Sequence, residues 1–490
     1  MKYYIACDLG ADSGRVMIGC LDAGAVTLEE IHRFPNGVSR IQGSLRWDIL
    51  RIFEELKTGL RKIAEKGIIA ESLSVDSWGV DYVLFNERQP MLGLPYHYRD
   101  HRTDAPFADA LERVGKEKIF SETGLQFMAI NTLYQLLADV GRNGDLLALA
   151  DRFLNIADYL NYLFSGVARA EESLASTTQI YNPNSRQWSQ ELIGALGLPA
   201  GIFPEIVPSG TLLGPLLPAI REETGMAEIP VCATCSHDTG AAIAAVPAEG
   251  QGWAYLSSGT WSLIGVERPA PLITEAARRH NFTNEAGYGG TTRLLKNIVG
   301  LWLLQESRRE WIRRGEVFAY DELDRLAGEA EPFRSIINPN AAPFLKPDNM
   351  PEKIAASCRE SGQPAPESPG QFTRCIFESL ALSYRQMLGQ LEELTGEPVT
   401  RLHIVGGGIK SRILNQLAAD AIRRPVFAGP VEATACGNIL IQALALGHLG
   451  SLAELRDVVR RSFPVQTYQP EDGRDWEAAF QRFSALPANI

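Results

Sequence analysis

The feature that most limits what this chain can fold into is a pattern that occurs twice, once in each half. Near the N-terminus the apolar runs YYIAC and RVMIG flank DLGADSG, a stretch of turn-forming residues, which predicts two strands folded into a hairpin. A polar–apolar run around Glu30 to Phe34 follows. Asp48 then stands at the N-cap of a helix whose Ile49, Phe53, Leu56, Leu60 and Ile63 share one face, Gly67 stops it, and LSVDS reads as the next strand. In the second half Trp253 to Ser257 and Trp261 to Val266 flank the turn Ser258, Gly259, Thr260. There Ser368, Pro369 and Gln371 cap a long helix, with Gln371 closing a capping box, and Phe372, Ile376, Leu380, Met387, Leu391 and Leu394 line one face before Gly396. RLHIV follows as a strand and ends in Gly406, Gly407 and Gly408. Hairpin, helix and strand, repeated in that order, predict two similarly built α/β halves meeting near Pro247 to Gly252, with ligands in the cleft between them.

Composition narrows the function classes. The chain has 490 residues, room for two or three domains, with ordinary globular proportions of 45% hydrophobic and 22% charged residues. Lys and Arg number 47 against 59 Asp and Glu, a net charge of −12, and no basic run occurs, which argues against a nucleic-acid partner. Asp8 interrupts the N-terminal apolar stretch and no apolar run reaches membrane-spanning length, so the expectation is a cytoplasmic protein without membrane contact. Seven cysteines without regular spacing are expected as thiols, and Cys232 and Cys235 form a C-x-x-C with no second pair, which does not read as a zinc site.

Neither of the common phosphate-binding fingerprints, G-x-x-x-x-G-K-[ST] or G-x-G-x-x-G, is present. DLGADSGR reads either as a plain hairpin or as a turn whose amides around Gly10, Ser13 and Gly14 curl round an anion, with Asp8 holding a divalent cation through water. The matching turn SSGTWS, Ser257 to Ser262, would let two glycine hairpins grip one polyphosphate. The triplet 406–408, before KSRILNQLAADAI, reads as a tight turn or as a place where a flat group meets bare backbone and a helix N-terminus. EATACGN, Glu432 to Asn438, begins another helix and is uninformative by itself.

In IPVCATCSHDTGAAIAAV, His237 and Asp238 lie just past a strand and before a helix of small residues. There Asp238 is either a helix cap or a base that accepts the proton of a hydroxyl attacking a phosphoryl group. SWGVD offers Trp78 as a face for a sugar or as core, Gly79 as open backbone, and Asp76 and Asp81 as acceptors for hydroxyls. Arg99, Asp100 and Arg102 in PYHYRDHRT form a solvated loop or a clamp on a polyol. In RLLKNIVGLWLLQ, Asn297 and Gln305 are the polar exceptions at helix spacing.

DLGADSGR, VDSWGVDYV, YRDHRT, SHDT, YLSSGTWSL, KNIVGLWLLQ, HIVGGG and GPVEAT, in this order from Asp8 to Thr434, resemble the FGGY family of carbohydrate kinases, part of the wider actin, hexokinase and heat-shock-chaperone ATPase superfamily. The resemblance implies an α/β protein of two duplicated ribonuclease H-like (actin-like ATPase) domains with an interdomain cleft. It divides the chain into a sugar-binding domain over 1–246, a nucleotide-binding domain over 250–450 and a helical extension over 451–490. It also implies that Ala11, Asp12, Ser13, Gly14, Arg15 and Thr260 contact ATP phosphates, Asp12 through its backbone because its carboxylate would repel them. Gln305 and Gly407 fall on the nucleotide side, and Gly79, Asp81, His237, Thr239 and Asn297 on the sugar side. Asp238 is implied as proton acceptor and Asp8 as the organiser of Mg2+. The implied reaction moves the γ-phosphoryl of ATP to the 1-hydroxyl of L-rhamnulose, with L-fuculose and xylulose as rival substrates. A non-catalytic sugar-responsive or actin-like ATPase protein is the alternative of another class; an actin-like ATPase would not need the candidate sugar loops or a carboxylate placed like Asp238, and a degenerate, inactive kinase would be expected to have lost Asp8 or Asp238, both of which are present. The partners implied are a small-molecule sugar and ATP, in a monomer or homodimer.

Overall fold

The computed structural model describes residues 1–487 apart from Asn143, Asp472 and Arg474. The chain divides into two compact units, and the division is not a single cut near residue 246. The first unit gathers Met1–Ala245, Glu267–Leu294 and Ala433–Ser462, while the second gathers Val246–Val266, Leu295–Glu432 and Phe463–Ile490.

In the first unit the predicted hairpin is formed by the strands Lys2–Leu9 and Ser13–Asp22, antiparallel, with Asp8 opposite Arg15. Asp48 caps the helix Ile49–Glu65 by accepting the Arg51 N–H, and the chain returns as the strand Ala70–Ser77, parallel to Lys2–Leu9 with Asp8 opposite Asp76. The whole sheet has six strands in the order Thr211–Pro215, Pro230–Ala233, Ala70–Ser77, Lys2–Leu9, Ser13–Asp22, Ala25–Pro35. Successive side chains of a strand point to opposite faces, and Ser13–Asp22 shows both being covered. A Cβ on Gly59, in the helix Ile49–Glu65, would fall 2.4 Å from Val16, whereas a Cβ on Gly19 would fall 2.5 Å from Ile439, in the helix Ala433–Ala445.

That second helix explains why residues 433–462 belong with the N-terminal part of the chain. Its sequence ATACGNILIQALA is apolar almost all round, as a helix buried on several sides must be. A Cβ on Gly437 would sit 1.9 Å from the carbonyl oxygen of Ala241, a distance that only glycine permits between this helix and Asp238–Ala244.

The second unit repeats the design. Trp253–Ser258 and Trp261–Arg268 form the antiparallel hairpin, and the helix Pro369–Thr395 runs from its Ser368 cap to Gly396, where φ is +68°. Gln371 Oε1 accepts the N–H of Glu367 instead of closing a capping box on Ser368. The strand Arg401–Val405 then pairs parallel to Trp253–Ser258. The described residues of 451–490 divide between the two units. Leu452–Ser462 is a helix of the first unit, and Gln466–Tyr468 adds an antiparallel edge strand to Val426–Ala428. The helix Trp476–Ser484 docks through Trp476 on the ring of Phe333, 4.8 Å between centroids, and buries Trp476, Ala479 and Phe483. Among the described residues no helix is long and apolar enough to cross a membrane, and all seven cysteines are free thiols.

Candidate active site

In the first unit, parallel pairing places Asp8 and Asp76 side by side at the carboxyl ends of adjacent strands. Arg15, across the hairpin, ion-pairs with Asp8. Asp76 is fully buried; its Oδ2 accepts from Asn438 Nδ2 at 2.6 Å and its Oδ1 has no hydrogen-bond partner among the described residues. Burial, and then the charge of Asp8, push the Asp76 carboxyl well above its ordinary range, against the opposing hydrogen bond from Asn438. Two neighbouring carboxylates, one with a bare oxygen, fit a hydrated divalent cation. No three His, Cys, Asp or Glu side chains form a ready metal cage among the described residues, and magnesium, which keeps several waters, does not need one.

Next to them the backbone N–H of Ser77 donates to the carbonyl of Ser236 at 2.9 Å, which brings the segment His237–Asp238 beside the end of the Asp76 strand. Asp238 occupies the first turn of the helix Asp238–Ala244, and its Oδ1 accepts the Thr239 N–H at 2.5 Å and the Thr239 hydroxyl at 3.1 Å. The Asp238 side chain retains 30% exposure. Loss of solvent raises its pKa, the His237 ring works against that rise, and the negative charge of Asp8 adds to it. A carboxylate so placed is held in one orientation, remains reachable, and has a raised proton affinity, which suits a general base.

The loop after Ser77 is fixed from behind. Val80, a β-branched residue, holds φ at +68°, and its N–H donates to Thr177 Oγ1 at 3.2 Å. Such strain persists only where surroundings enforce it. A Cβ on the half-buried Gly79 would meet Thr177 Oγ1 at 2.8 Å, so bare backbone is kept there. Asp81 and Trp78 depart from the surface roles open to them in the sequence. Asp81 is fully buried; its Oδ2 accepts from Trp47 Nε1 at 2.6 Å, Trp78 Nε1 at 3.0 Å and the Tyr98 N–H at 3.2 Å, and its Oδ1 accepts from Gln135 Nε2 at 2.9 Å. Burial nonetheless raises its pKa to about 6. The ring of Trp78 packs on Trp47, 4.1 Å between centroids, and is core. Asp81 is therefore a brace for the Gly79 loop. Likewise Arg102 is buried against Asp139, and Asp100 accepts the N–H groups of Leu45 and Arg102, so neither forms a free polyol clamp.

The turn Gly10–Ser13 is shaped by its own hydrogen bonds. Gly10 N–H is spent on the Ser13 carbonyl, while Asn36 holds the carbonyls of Asp12 and Gly10. Gly14 is required by packing, since a Cβ there would fall 2.3 Å from the ring of Phe34. Ala11, Ser13 and Arg15 remain half-buried and Asp12 exposed along the turn.

In the second unit the turn of the second hairpin meets a helix. Thr260 presents its carbonyl to the N–H groups of Gly300 and Trp302, and Gly259 presents its own to Leu301, satisfying the orphan amides at the start of the helix Trp302–Arg313. RLLKNIV is thus not helical: Asn297 lies half-buried on the strand Thr292–Val299, and Gly300 ends it where a Cβ would meet the Gly259 carbonyl at 2.7 Å. Gln305, on the helix, keeps a buried Oε1 with no partner among the described residues. The triplet forms the one-turn helix Gly407–Lys410, and Ser411, not a glycine, caps the following helix Arg412–Ile422. A Cβ on Gly408 would lie 2.0 Å from Ser258 Oγ, whereas one on Gly407 would enter open space. Thr260, Gln305 and Gly407 therefore share one region of the second unit. Asp8, Gly79, His237, Asp238 and Thr239 share one region of the first.

Several residues of this architecture carry no motif. Asn438 was legible only as a polar exception in an apolar helix, and Glu285 and Arg293, which flank the His237 ring, are distant from it in sequence.

Two α/β units of one topology, glycine turns at their strand ends and a positioned carboxylate define a phosphotransferase of the actin-like ATPase fold. The N-terminal domain pattern of the FGGY family of carbohydrate kinases matches residues 3–245 and its C-terminal domain pattern matches residues 254–446. A rhamnulokinase from Bacteroides thetaiotaomicron is 44% identical over 98% of both chains, and one from Enterococcus faecalis is 42% identical over 96% of this chain and 94% of its own. Among solved structures, Plasmodium falciparum glycerol kinase with ADP superimposes with a TM-score of 0.80 at 15% identity, over 99% of this chain and 97% of that one. A ligand-bound xylulose kinase from Lactobacillus acidophilus gives 0.79 at 17% identity, over 99% and 96%. The chain belongs to the FGGY family of carbohydrate kinases, and it is a sugar kinase that uses ATP.

Proposed function

We infer that the chain phosphorylates L-rhamnulose at its 1-hydroxyl, giving L-rhamnulose 1-phosphate and ADP, in the cytoplasm, where ATP is held and thiols stay reduced. The observation that carries this reading is full-length kinship, above 40% identity, to rhamnulokinases of several organisms. Asp238 accepts the proton of the 1-hydroxyl, the freed oxygen attacks the γ-phosphorus, and the bond from that phosphorus to the β,γ-bridging oxygen breaks, so that ADP leaves and Asp238 returns its proton to solvent. Gly79, His237, Thr239 and Asn297 hold the sugar, and Asp81 braces the loop that carries Gly79. Ala11 to Arg15, Thr260, Gln305 and Gly407 hold the nucleotide. Asp8, with Asp76 beside it, would hold Mg2+ through water, and the ion would supply positive charge against that developing on the phosphates.

An ADP-release assay over a panel of acceptors tests the substrate. Expected is a kcat/KM highest for L-rhamnulose, lower for L-fuculose and far lower for D-xylulose and glycerol. A pocket wall facing the 6-methyl discriminates by only about 10- to 200-fold, and unpaired buried polar groups supply the rest. If D-xylulose, glycerol or L-fuculose equals L-rhamnulose, this substrate reading fails and the kinase class remains.

A further inference from the structure

Three consecutive residues lead into Asp238, and each is tied to Glu171. The Ser236 N–H donates directly to Glu171 Oε2 at 3.0 Å. The His237 N–H donates to Ser173 Oγ at 3.0 Å, and that hydroxyl donates in turn to Glu171 Oε2 at 2.5 Å. The Cys235 thiol donates to Ser209 Oγ at 3.4 Å, and the Ser209 hydroxyl donates to Glu171 Oε1. Glu171, Ser173, Cys235 and Ser236 are fully buried, and all these groups lie within the first unit.

Glu171 also caps the one-turn helix Glu172–Ala175: its Oε1 accepts the Ser173 N–H at 3.0 Å and its Oε2 the Leu174 N–H at 3.2 Å. Capping accounts for those two bonds and for none of the ties to residues 235–237. Each carboxylate oxygen therefore faces at least one backbone N–H, a donor that cannot turn round to accept. A carboxylate meets this demand because it accepts at both oxygens, whereas a glutamine, whichever way its amide is turned, presses its NH2 against a backbone N–H. The other side of the segment is held as well. The Ser236 carbonyl accepts from the Ser77 N–H at 2.9 Å, and the His237 carbonyl accepts from the Ala241 N–H at 3.1 Å, in the first turn of the helix that carries Asp238. The direction in which the chain enters that helix is thus fixed, and a reacting group displaced by about 1 Å can lose about 10²-fold in rate.

We propose that Glu171, acting with Ser173, is a positioning residue that fixes the backbone from Cys235 to His237 and so aims the Asp238 carboxylate at the hydroxyl it deprotonates. The proposal rests on Asp238 as the base. Glu171 touches neither reactant and acts through the peptide groups that precede Asp238.

Ser173→Ala in the full-length protein removes the hydroxyl between Glu171 and the His237 N–H and leaves the Ser173 N–H to the cap. Expected are a kcat lower by about tenfold or more, the worth of one hydrogen bond to a charged group, and an unchanged KM for ATP. Hydrogen-exchange mass spectrometry should show faster exchange over residues 235–238, with the strand Ala70–Ser77 as protected as before. Glu171→Gln gives the same pattern, and Ser173→Ala decides if the glutamine variant does not fold. A merely structural role is separated by making Ser173→Ala in Asp238→Asn. With no base left to aim, the residual turnover falls less than twofold further, because two residues that act as one unit do not add. A full tenfold loss repeated in that background overturns the proposal, as does a folded Ser173→Ala with parental kcat. Asp238→Asn alone tests the base: turnover within threefold of the parent removes the base reading itself, whatever exchange shows at 235–238.

Discussion

The two halves share one plan and differ at the strand ends. In the first, the hairpin strand and its parallel neighbour set Asp8 opposite Asp76; in the second, the equivalent strands set Ser257 opposite Val405 and finish in Ser258, Gly259, Thr260 and the triplet 406–408. Hairpin, helix and parallel strand form the scaffold in both, so the scaffold does not determine the chemistry. The first half spends its strand ends on negative charge, suited to a cation and a proton. The second spends them on hydroxyls and bare backbone, suited to a ligand that must approach closely.

The largest expected effect breaks the first half. Asp238→Asn lowers kcat by about 10²- to 10⁴-fold, the usual worth of a general base, and leaves sugar binding nearly unchanged by calorimetry; turnover within threefold of the parent removes Asp238 from that role. Asp8→Ala follows, with a magnesium requirement raised by roughly tenfold or more in a titration of rate against the ion; an unaltered requirement in a folded variant contradicts the placement. The milder Asp8→Asn tests the electrostatics. Since the charge of Asp8 helps to raise the pKa of Asp238, removing it moves the acid limb of the kcat/KM profile to lower pH, and a shift to higher pH refutes that coupling.

In the second half neighbouring glycines give opposite results. Gly408→Ala drives a methyl into Ser258 and costs about 1–3 kcal/mol of stability in a denaturant melt, whereas Gly407→Ala, facing open space, folds normally and raises KM for ATP. Equal stability losses at both positions would remove the distinction between a packing glycine and a ligand-facing one. The smallest effect is expected at Gln305→Ala, which removes a buried oxygen without a hydrogen-bond partner among the described residues and raises KM for ATP about three- to tenfold with KM for sugar unmoved.

Local patterns wrote much of this fold into the sequence. Asp48, Ser368, Gly67 and Gly396 punctuate their helices as side-chain and glycine chemistry dictates. RLLKNIV fits a helix as well as a strand, because a short apolar run serves either equally well, and only Gly300, pressed against Gly259, decides. The site was legible where one motif carries several groups, as in SHDT. It was not legible where tertiary contact does the work: Asp81 and Trp78 face inward because Trp47 and Gln135 offer partners there, and Arg293 reaches His237 from another strand.

The helix Ala433–Ala445 bears on how the protein comes into being. It covers one face of a sheet whose central strands are among the first residues synthesised, and Asn438 completes the bonding of Asp76. While the chain emerges from the ribosome, that face waits through the synthesis of most of the second unit, Val246–Val266 and Leu295–Glu432, tens of seconds at roughly 5–20 residues per second. The nascent N-terminal half is therefore a natural client for a chaperone. A message truncated after residue 245 yields an uncovered sheet and an unsatisfied carboxylate, not a smaller sugar-binding protein.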